Sequence, residues 1–380
     1  MRTAAPDCTD SAAYHRMMKV VKGAGAIEGI QILRGVAALM VVMHHARHSV
    51  PGSEGWPSFG DTGVDIFFVI SGFVMAYTTR SLSMASTAGE RLDASGEFLR
   101  KRLARVVPLY WLVLLWTARR DLAQGRFSID LIKDFAFLPH PNATYPDMLW
   151  PTVVQGWTLN YEMFFYGLFA VSLLFGGLRT RMLLGALLGL VVFGYCLALA
   201  RWPSDSAGWL GIARRFYTDN IVLEFGYGVL LQRFVAGRPA PAWPRAVFVL
   251  VALGGFLLLA LGHDSWPRGV MQGLPALLIV WASLHACTGW HLPVLVRLGD
   301  ASYAIYLFHW ASFGAIKPLA AWLGPSGGQP LQVALMMALH FLVAVLSGLA
   351  IHRWIEMPML GWTQARLGLR RRPLGTGAPA

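Results

Sequence analysis

Apolar runs of bilayer-spanning length recur along nearly the whole of this 380-residue chain. They fall at about 28–48, 62–80, 105–119, 156–176, 182–200, 216–234, 245–262, 268–286, 300–323 and 331–355, by the usual criterion of roughly 20 apolar residues. A backbone in hydrocarbon must satisfy its own hydrogen bonds, so such runs fold as helices. The expected fold class is an all-α polytopic membrane protein, a bundle of about ten transmembrane helices. With 56% hydrophobic and only 14% charged residues, the chain lies outside the soluble globular norm. An even number of crossings puts both termini on one side. Arg16, Lys19 and Lys22 before the first run, and Arg370, Arg371 and Arg372 after the last, mark that side as cytoplasmic.

A net charge of +12 raises the question of nucleic acid, but the basic residues fall between apolar runs rather than in one cationic domain. Loop charge bias accounts for them, and no nucleic-acid partner is expected. Cys8, Cys196 and Cys287 are widely scattered, so neither a disulfide framework nor a zinc site is indicated. The first 25 residues lack a secretory apolar core and are expected to stay cytoplasmic and uncleaved. The long external segment at about 118–156 is rich in turn formers, with Pro139, Pro141, Asn142, Pro146 and Pro151, and reads as an irregular loop placed to cap a site.

The costliest residues at membrane depth are the best functional candidates. Arg34 and His45 lie eleven residues apart in LRGVAALMVVMHHA. At about 100° per residue, eleven positions return to within roughly 20° of the starting face, about 16 Å further along. The pair shares a stripe, and adjacent His44 points elsewhere. An imidazole is the usual general base near neutral pH. The next run, GVDIFFVISGF, is expected to place Asp65 near the depth of His45, with Ser71 about two turns further in; the fourth, WTLNYEMFFYGLF, carries Glu162 about one turn inside. Three ionisable groups from separate helices are thus expected in one layer, with Asp65 or Glu162 orienting the imidazole. A structural polar network that fixes helix register is the alternative.

On the cytoplasmic side, FLRKRLARVVPLYW brings Arg100, Lys101, Arg102 and Arg105 to the membrane boundary. Arg102 and Arg105 are neighbours on one helix face and suited to clamping a phosphate or pyrophosphate, although topology and anionic lipid also favour basic residues there. In the ninth run, SYAIYLFHW sets Tyr303, Tyr306 and His309 at spacings of three, one polar stripe in which His309 stands near mid-membrane. Glu356, beside Arg353, suggests a structural pair.

These elements, in this order and over about residues 27–360, resemble the acyltransferase-3 family of integral-membrane acyltransferases, especially its exopolysaccharide-modifying members. The resemblance rests on LRGVAALMVVMHH with Arg34 and His45, then GVDIFFVISGF, RLARVVPLYW, WTLNYEMFFY, LEFGYG and SYAIYLFHW. It implies an enzyme of the bacterial cytoplasmic (inner) membrane that takes an acyl group, acetyl or succinyl, from acyl-CoA on the cytoplasmic side. The acceptor would be a hydroxyl of a cell-surface carbohydrate, such as an exopolysaccharide, or of a lipid-linked saccharide. By the resemblance His45 is catalytic, Arg34 and Glu162 belong to the essential set, and Arg102 and Arg105 handle the donor. Asp65 joins the catalytic candidates; Arg100 and Tyr110 join the donor site; Tyr303, His309 and Ser71 are assigned to substrate binding. Polysaccharide-assembly proteins are possible partners, and membrane lipid surrounds the whole. The implied organisation is a cytoplasmic segment 1–26, a membrane acyltransferase domain 27–360 and a basic cytoplasmic tail 361–380. IEMPML lacks the family's usual Arg between Glu356 and Pro358.

His45 would deprotonate the attacking hydroxyl or accept the acyl group itself, and Tyr303 or Ser71 is a candidate oxyanion donor. Acyl transfer requires no metal, and no cluster has ligand spacing. The rivals are a transporter or flippase for a glycolipid or acylated metabolite, with buried His, Arg and Glu as a proton relay, and an export-assembly subunit without chemistry.

Overall fold

The computed structural model describes residues 24–56, 59–80, 87–202, 208–236, 238, 240–262, 267–287, 292–322 and 329–369. Residues 1–23 of the expected N-terminal segment, and the tail arginines Arg370, Arg371 and Arg372, lie outside them. Among the described residues every regular element is helical. In chain order these are α1 Ala24–Ser49, α2 Gly63–Thr78, α3 Ala88–Ala123, α4 Ile129–Phe135, α5 Trp157–Leu173, α6 Arg179–Leu199, α7 Trp209–Tyr217 and α8 Leu223–Val235. There follow α9 Arg245–Gly262, α10 Arg268–Met271, α11 Gly273–Ala286, α12 Pro293–Asp300, α13 Ser302–Trp322, α14 Pro330–Ile351 and, after a π turn at His352–Glu356, α15 Met357–Arg366.

Six helical stretches are long and apolar enough to cross a membrane: 28–49, 60–78, 176–199, 245–262, 268–286 and 330–366. The other four expected runs are also helical but differ in form. Run 105–119 is the apolar outer part of α3, whose 36 residues begin in a charged segment with a Thr87–Glu90 capping box. Run 216–234 is broken where the Asp219 side chain caps a 3₁₀ turn, leaving α8 only 13 residues long. Runs 156–176 and 300–323 become α5 and α13, both rich in polar side chains.

Most of α1, α2 and α11 lies inside the protein, and most of α6 and α9 lies on its perimeter. Helix α1 is central, packing against α2, α11, α12, α13 and α14. Lipid tails are as apolar as leucine, so association rests on close packing rather than on escape from water. Helices α2 and α8 approach closely. A Cβ at Gly72 would collide with the Phe225 carbonyl oxygen, and one at Gly228 with that of Val69, so two glycines facing each other bring the backbones into contact. Around this seam Phe225 packs on Phe68 and Phe165, with centroids 4.6 and 4.3 Å away.

The loop after α4 is pinned by one buried carboxylate. Asp134 accepts from His140 Nε2 at 2.7 Å through one oxygen and from the Thr152 amide at 3.1 Å through the other. It therefore clips both ends of the loop together. His140 Nδ1 meets the Pro141 carbonyl at 3.0 Å. Both ring nitrogens face acceptors, an arrangement that favours the doubly protonated ring. Burial works against this charge, but Asp134, the Pro141 carbonyl and Asp130 outweigh it and raise the pKa above the ordinary 6.5. Asn142 organises the loop tip, accepting from the Thr144 and Tyr145 amides and donating to the Trp150 carbonyl.

Two outcomes follow for the reconstituted protein. Gly72→Leu should cost about 3 kcal/mol or more, because the added side chain meets backbone that cannot yield, and should lower the thermal midpoint in detergent. Because the folded pKa of His140 is raised, its stabilisation is complete below about pH 6.5 and is lost as pH rises through the folded value. Hydrogen exchange, corrected for its intrinsic pH dependence, should show residues 138–153 losing protection across that rise, and His140→Gln should lack the protection on both sides of it.

Candidate functional site

The stripe that carries Arg34 and His45 faces α13, and the two helices run parallel. At the inner end Arg34 donates to Ser302 Oγ at 3.0 Å and to Gln31 Oε1 at 3.2 Å, while Gln31 donates to Asp300 at 2.6 Å. Gly299, against the Gln31 carbonyl, admits this close approach, since a Cβ there would collide with that oxygen. At the outer end His45 Nδ1 lies 3.0 Å from His309 Nε2. The ring planes are nearly parallel, 20° apart, with centroids 4.8 Å apart.

The hydrogen bonds define the tautomers. His309 Nδ1 is 2.6 Å from the Tyr306 carbonyl, an acceptor only, so Nδ1 carries the proton. In neutral His309 the Nε2 lone pair then accepts from His45 Nδ1–H. That leaves His45 Nε2 with the lone pair, and the Val41 carbonyl, one turn back on α1, is a further backbone partner of the ring. Tyr306 is held in turn: its hydroxyl donates to the Gln155 carbonyl at 2.9 Å and meets Thr158 Oγ1 at 2.8 Å, and Gln155 Nε2 donates to the Leu307 carbonyl at 2.6 Å. The entrance to α5 thereby fixes the partner of His45.

The expected single layer of His45, Asp65 and Glu162 does not form. Asp65, fully buried, takes a two-pronged bond from Arg268, with Nε at 2.9 Å and Nη2 at 2.8 Å. A guanidinium is a far stronger partner for a buried carboxylate than an imidazole. Glu162 lies deeper, accepting from Ser71 Oγ at 3.1 Å and the Tyr166 hydroxyl at 2.6 Å. Ser71 is six residues beyond Asp65 on α2, so the two carboxylates differ in depth by about 9 Å. Between Glu162 and the histidine pair lies an aromatic layer in which Phe67, one turn outward of Ser71, meets Tyr306 at 6.1 Å.

Other expected residues are placed as follows. The Tyr303 hydroxyl donates to the Val106 carbonyl at 2.8 Å and braces α13 against α3 instead of pointing at His45. Ser71 is bonded to Glu162 and stands a layer away from the imidazoles. Neither is placed as an oxyanion donor. Arg102 donates to Thr78 Oγ1 at 3.1 Å over the Phe98 ring, Arg105 is half-buried, and Arg100 is exposed. Tyr110 is buried on Phe137 beneath the external loop, eight residues and about 12 Å along α3 from Arg102, so it does not join the cationic group. Glu356 pairs with His352 at 2.8 Å rather than with exposed Arg353, because the π turn brings positions 352 and 356 onto one side.

Two contacts carried no local signal in the sequence. Arg268 lies 203 positions from Asp65, just outside an apolar run, where topology alone explains an arginine. His309 lies 264 positions from His45, and its regular spacing with Tyr303 and Tyr306 was the hint available. Among the described residues no group of three or more His, Cys, Asp or Glu side chains is placed to hold a metal ion.

The sequence is similar to those of known proteins. The exopolysaccharide production protein ExoZ of Rhizobium meliloti is 31% identical over 320 residues, covering 81% of this chain and 92% of its own length. The acyltransferase MdmB of Streptomyces mycarofaciens is 25% identical over 363 residues, with 84% of each chain covered. No solved structure matches. The family described as Acyltransferase domain matches residues 27–351, nearly the whole helical bundle, and the chain belongs to this acyltransferase-3 family of membrane proteins.

Proposed function

We propose that the chain is a multi-pass O-acyltransferase of the bacterial cytoplasmic membrane, with both termini cytoplasmic. It moves an acyl group from acyl-CoA to a hydroxyl of a cell-surface carbohydrate. The observation that carries this reading is the His45–His309 pair, which leaves His45 Nε2 as a lone pair at the outer end of a buried polar stripe. His309 takes the orienting role expected of a carboxylate, and a neutral partner leaves the base unencumbered by a second charge. Acetyl is the favoured acyl group. The carbohydrate acceptor is supported by ExoZ, named for exopolysaccharide production.

In the reaction, His45 Nε2 takes the proton of the acceptor hydroxyl as its oxygen attacks the thioester carbonyl carbon. The C–S bond breaks, the thiolate leaves, and His45 returns the proton to it. The products are an ester and free coenzyme A thiol, and His45 is neutral again. The donor approaches from the opposite face, its phosphates met by Arg102 and Arg105. From Thr78, where Arg102 is held, to Ser71 and Glu162 is seven residues of α2, about 10 Å. Phe67 and Tyr306 follow, then the histidines. Glu162, with Ser71 and Tyr166, supplies a polar step midway along this route, and Arg34 holds its wall by tying α1 to α13.

With purified protein in nanodiscs, His45→Ala should lower acyl transfer from acetyl-CoA by about 10²- to 10⁴-fold. Full transfer by that folded variant would sink the mechanism. His309→Gln should lower kcat by about 10- to 100-fold while leaving donor KM nearly unchanged, since it disturbs the orientation of the base alone. The double change Arg102→Ala with Arg105→Ala should weaken acetyl-CoA binding about tenfold or more by calorimetry; unchanged affinity would reduce the pair to a topology signal.

A further inference from the structure

The acyltransferase reading requires a place for the acceptor at His45 Nε2, and the rings around His45 define one. Trp310 follows His309 on α13. Its ring centroid is 5.1 Å from that of His45 at an inclination of 51°, 6.0 Å from His309 and 5.9 Å from Phe313. His309 is fully buried, whereas Trp310 keeps 37% of its surface exposed. The histidine pair packs against one side of the indole, and more than a third of the residue's surface remains exposed.

Helix geometry shows where that opening lies. On α1 the outward face is marked by Met43, 41% exposed, which stands about 160° round the helix from His45. The partial exposure of His45 thus faces away from the α1 perimeter and into the protein. Polar side chains continue outward from it. The His44 ring is 5.1 Å from His45 and 4.7 Å from His48, with His44 Nδ1 3.7 Å from Asp61. His48 lines a cavity of about 300 Å³ together with Arg47, Ser49 and Glu54. A flat apolar surface beside a base, bordered by a few polar groups, is the composition of a small-molecule subsite.

We propose that Trp310 is the platform on which one pyranose ring of the acceptor stacks, bringing a ring hydroxyl to His45 Nε2. A pyranose is amphipathic: its axial C–H bonds form an apolar face that lies on the electron-rich indole, and its hydroxyls project from the rim, where the base and the outer polar groups stand. This rests on the acyltransferase reading and adds the residue that holds and selects the acceptor. The competing role for a tryptophan near a membrane boundary is that of an interfacial anchor, which would place no demand on the acceptor.

The test uses the full chain in nanodiscs, acetyl-CoA as donor, and two acceptor probes: unacylated polysaccharide from a strain lacking the gene, and cellotetraose. Trp310→Leu keeps apolar bulk and loses the flat face; Trp310→Tyr keeps a face. The leucine variant should raise the acceptor KM about tenfold while the acetyl-CoA KM moves less than about twofold, and the tyrosine variant should stay within about threefold of wild type. An unchanged acceptor KM in Trp310→Leu would make Trp310 an anchor and overturn the proposal. So would equal losses in both variants, or a parallel rise in both KM values, which mean packing alone. If wild-type protein acylated neither probe while His45→Ala left acetyl-CoA turnover intact, the acyltransferase reading itself would fall, and the platform with it.

Discussion

The parallel packing of α1 against α13, clamped by polar contacts at two heights, is the constraint on which the rest depends. In a medium without water, a side chain such as Arg34 cannot be left unmet, and its bonds to Ser302 and Gln31 fix the inner contact. The outer contact, His45 with His309, then has little freedom in register. Arg34 to His45 is eleven residues, about 16 Å, whereas Ser302 to His309 is seven, about 10 Å, and the long arginine side chain accommodates the difference. Function and architecture therefore share one scaffold.

The same economy governs the other polar groups. Three buried carboxylates sit in local pairings: Asp65 with Arg268, Glu162 with Ser71 and Tyr166, Asp134 with His140 and Thr152. Aromatic layers separate these pairings, Phe67 and Tyr306 being the layer between Glu162 and the histidines. This aromatic layer stands between Glu162 and the imidazoles and leaves His45 to a neutral partner.

Much of this was legible in the sequence where a short-range rule applies. Helical periodicity places Arg34 and His45 on one stripe and His44 off it, and the apolar runs give the helical elements with few errors of position. Pairings across the bundle were not legible. Depth on a helix is readable to within a turn, and one turn decided between a shared layer and two separate ones for Asp65 and Glu162. Arg268 and His309 are contributed by segments whose arrival beside α2 and α1 depends on the packing of every helix between. The break in the sixth run was also hidden, because Asp219 stops a helix through a side-chain cap that hydropathy does not register.

Helix α3 is the longest element, 36 residues or about 54 Å, against a hydrocarbon thickness of about 30 Å. Its apolar part follows Arg105, and its charged first turns precede it. Pro108 interrupts the backbone bonding a few residues beyond Arg105 and is the one proline inside the rod. Below that point the helix carries the arginines; above it, Tyr110 and Trp111 are lodged against the loop region through Phe137 and the Phe135 carbonyl. The lower part is fastened as well, by Ser95 Oγ donating to the Ala170 carbonyl at 2.9 Å and by Phe98 lying on Phe169, so the arginines ride on a rod held on both sides of its joint.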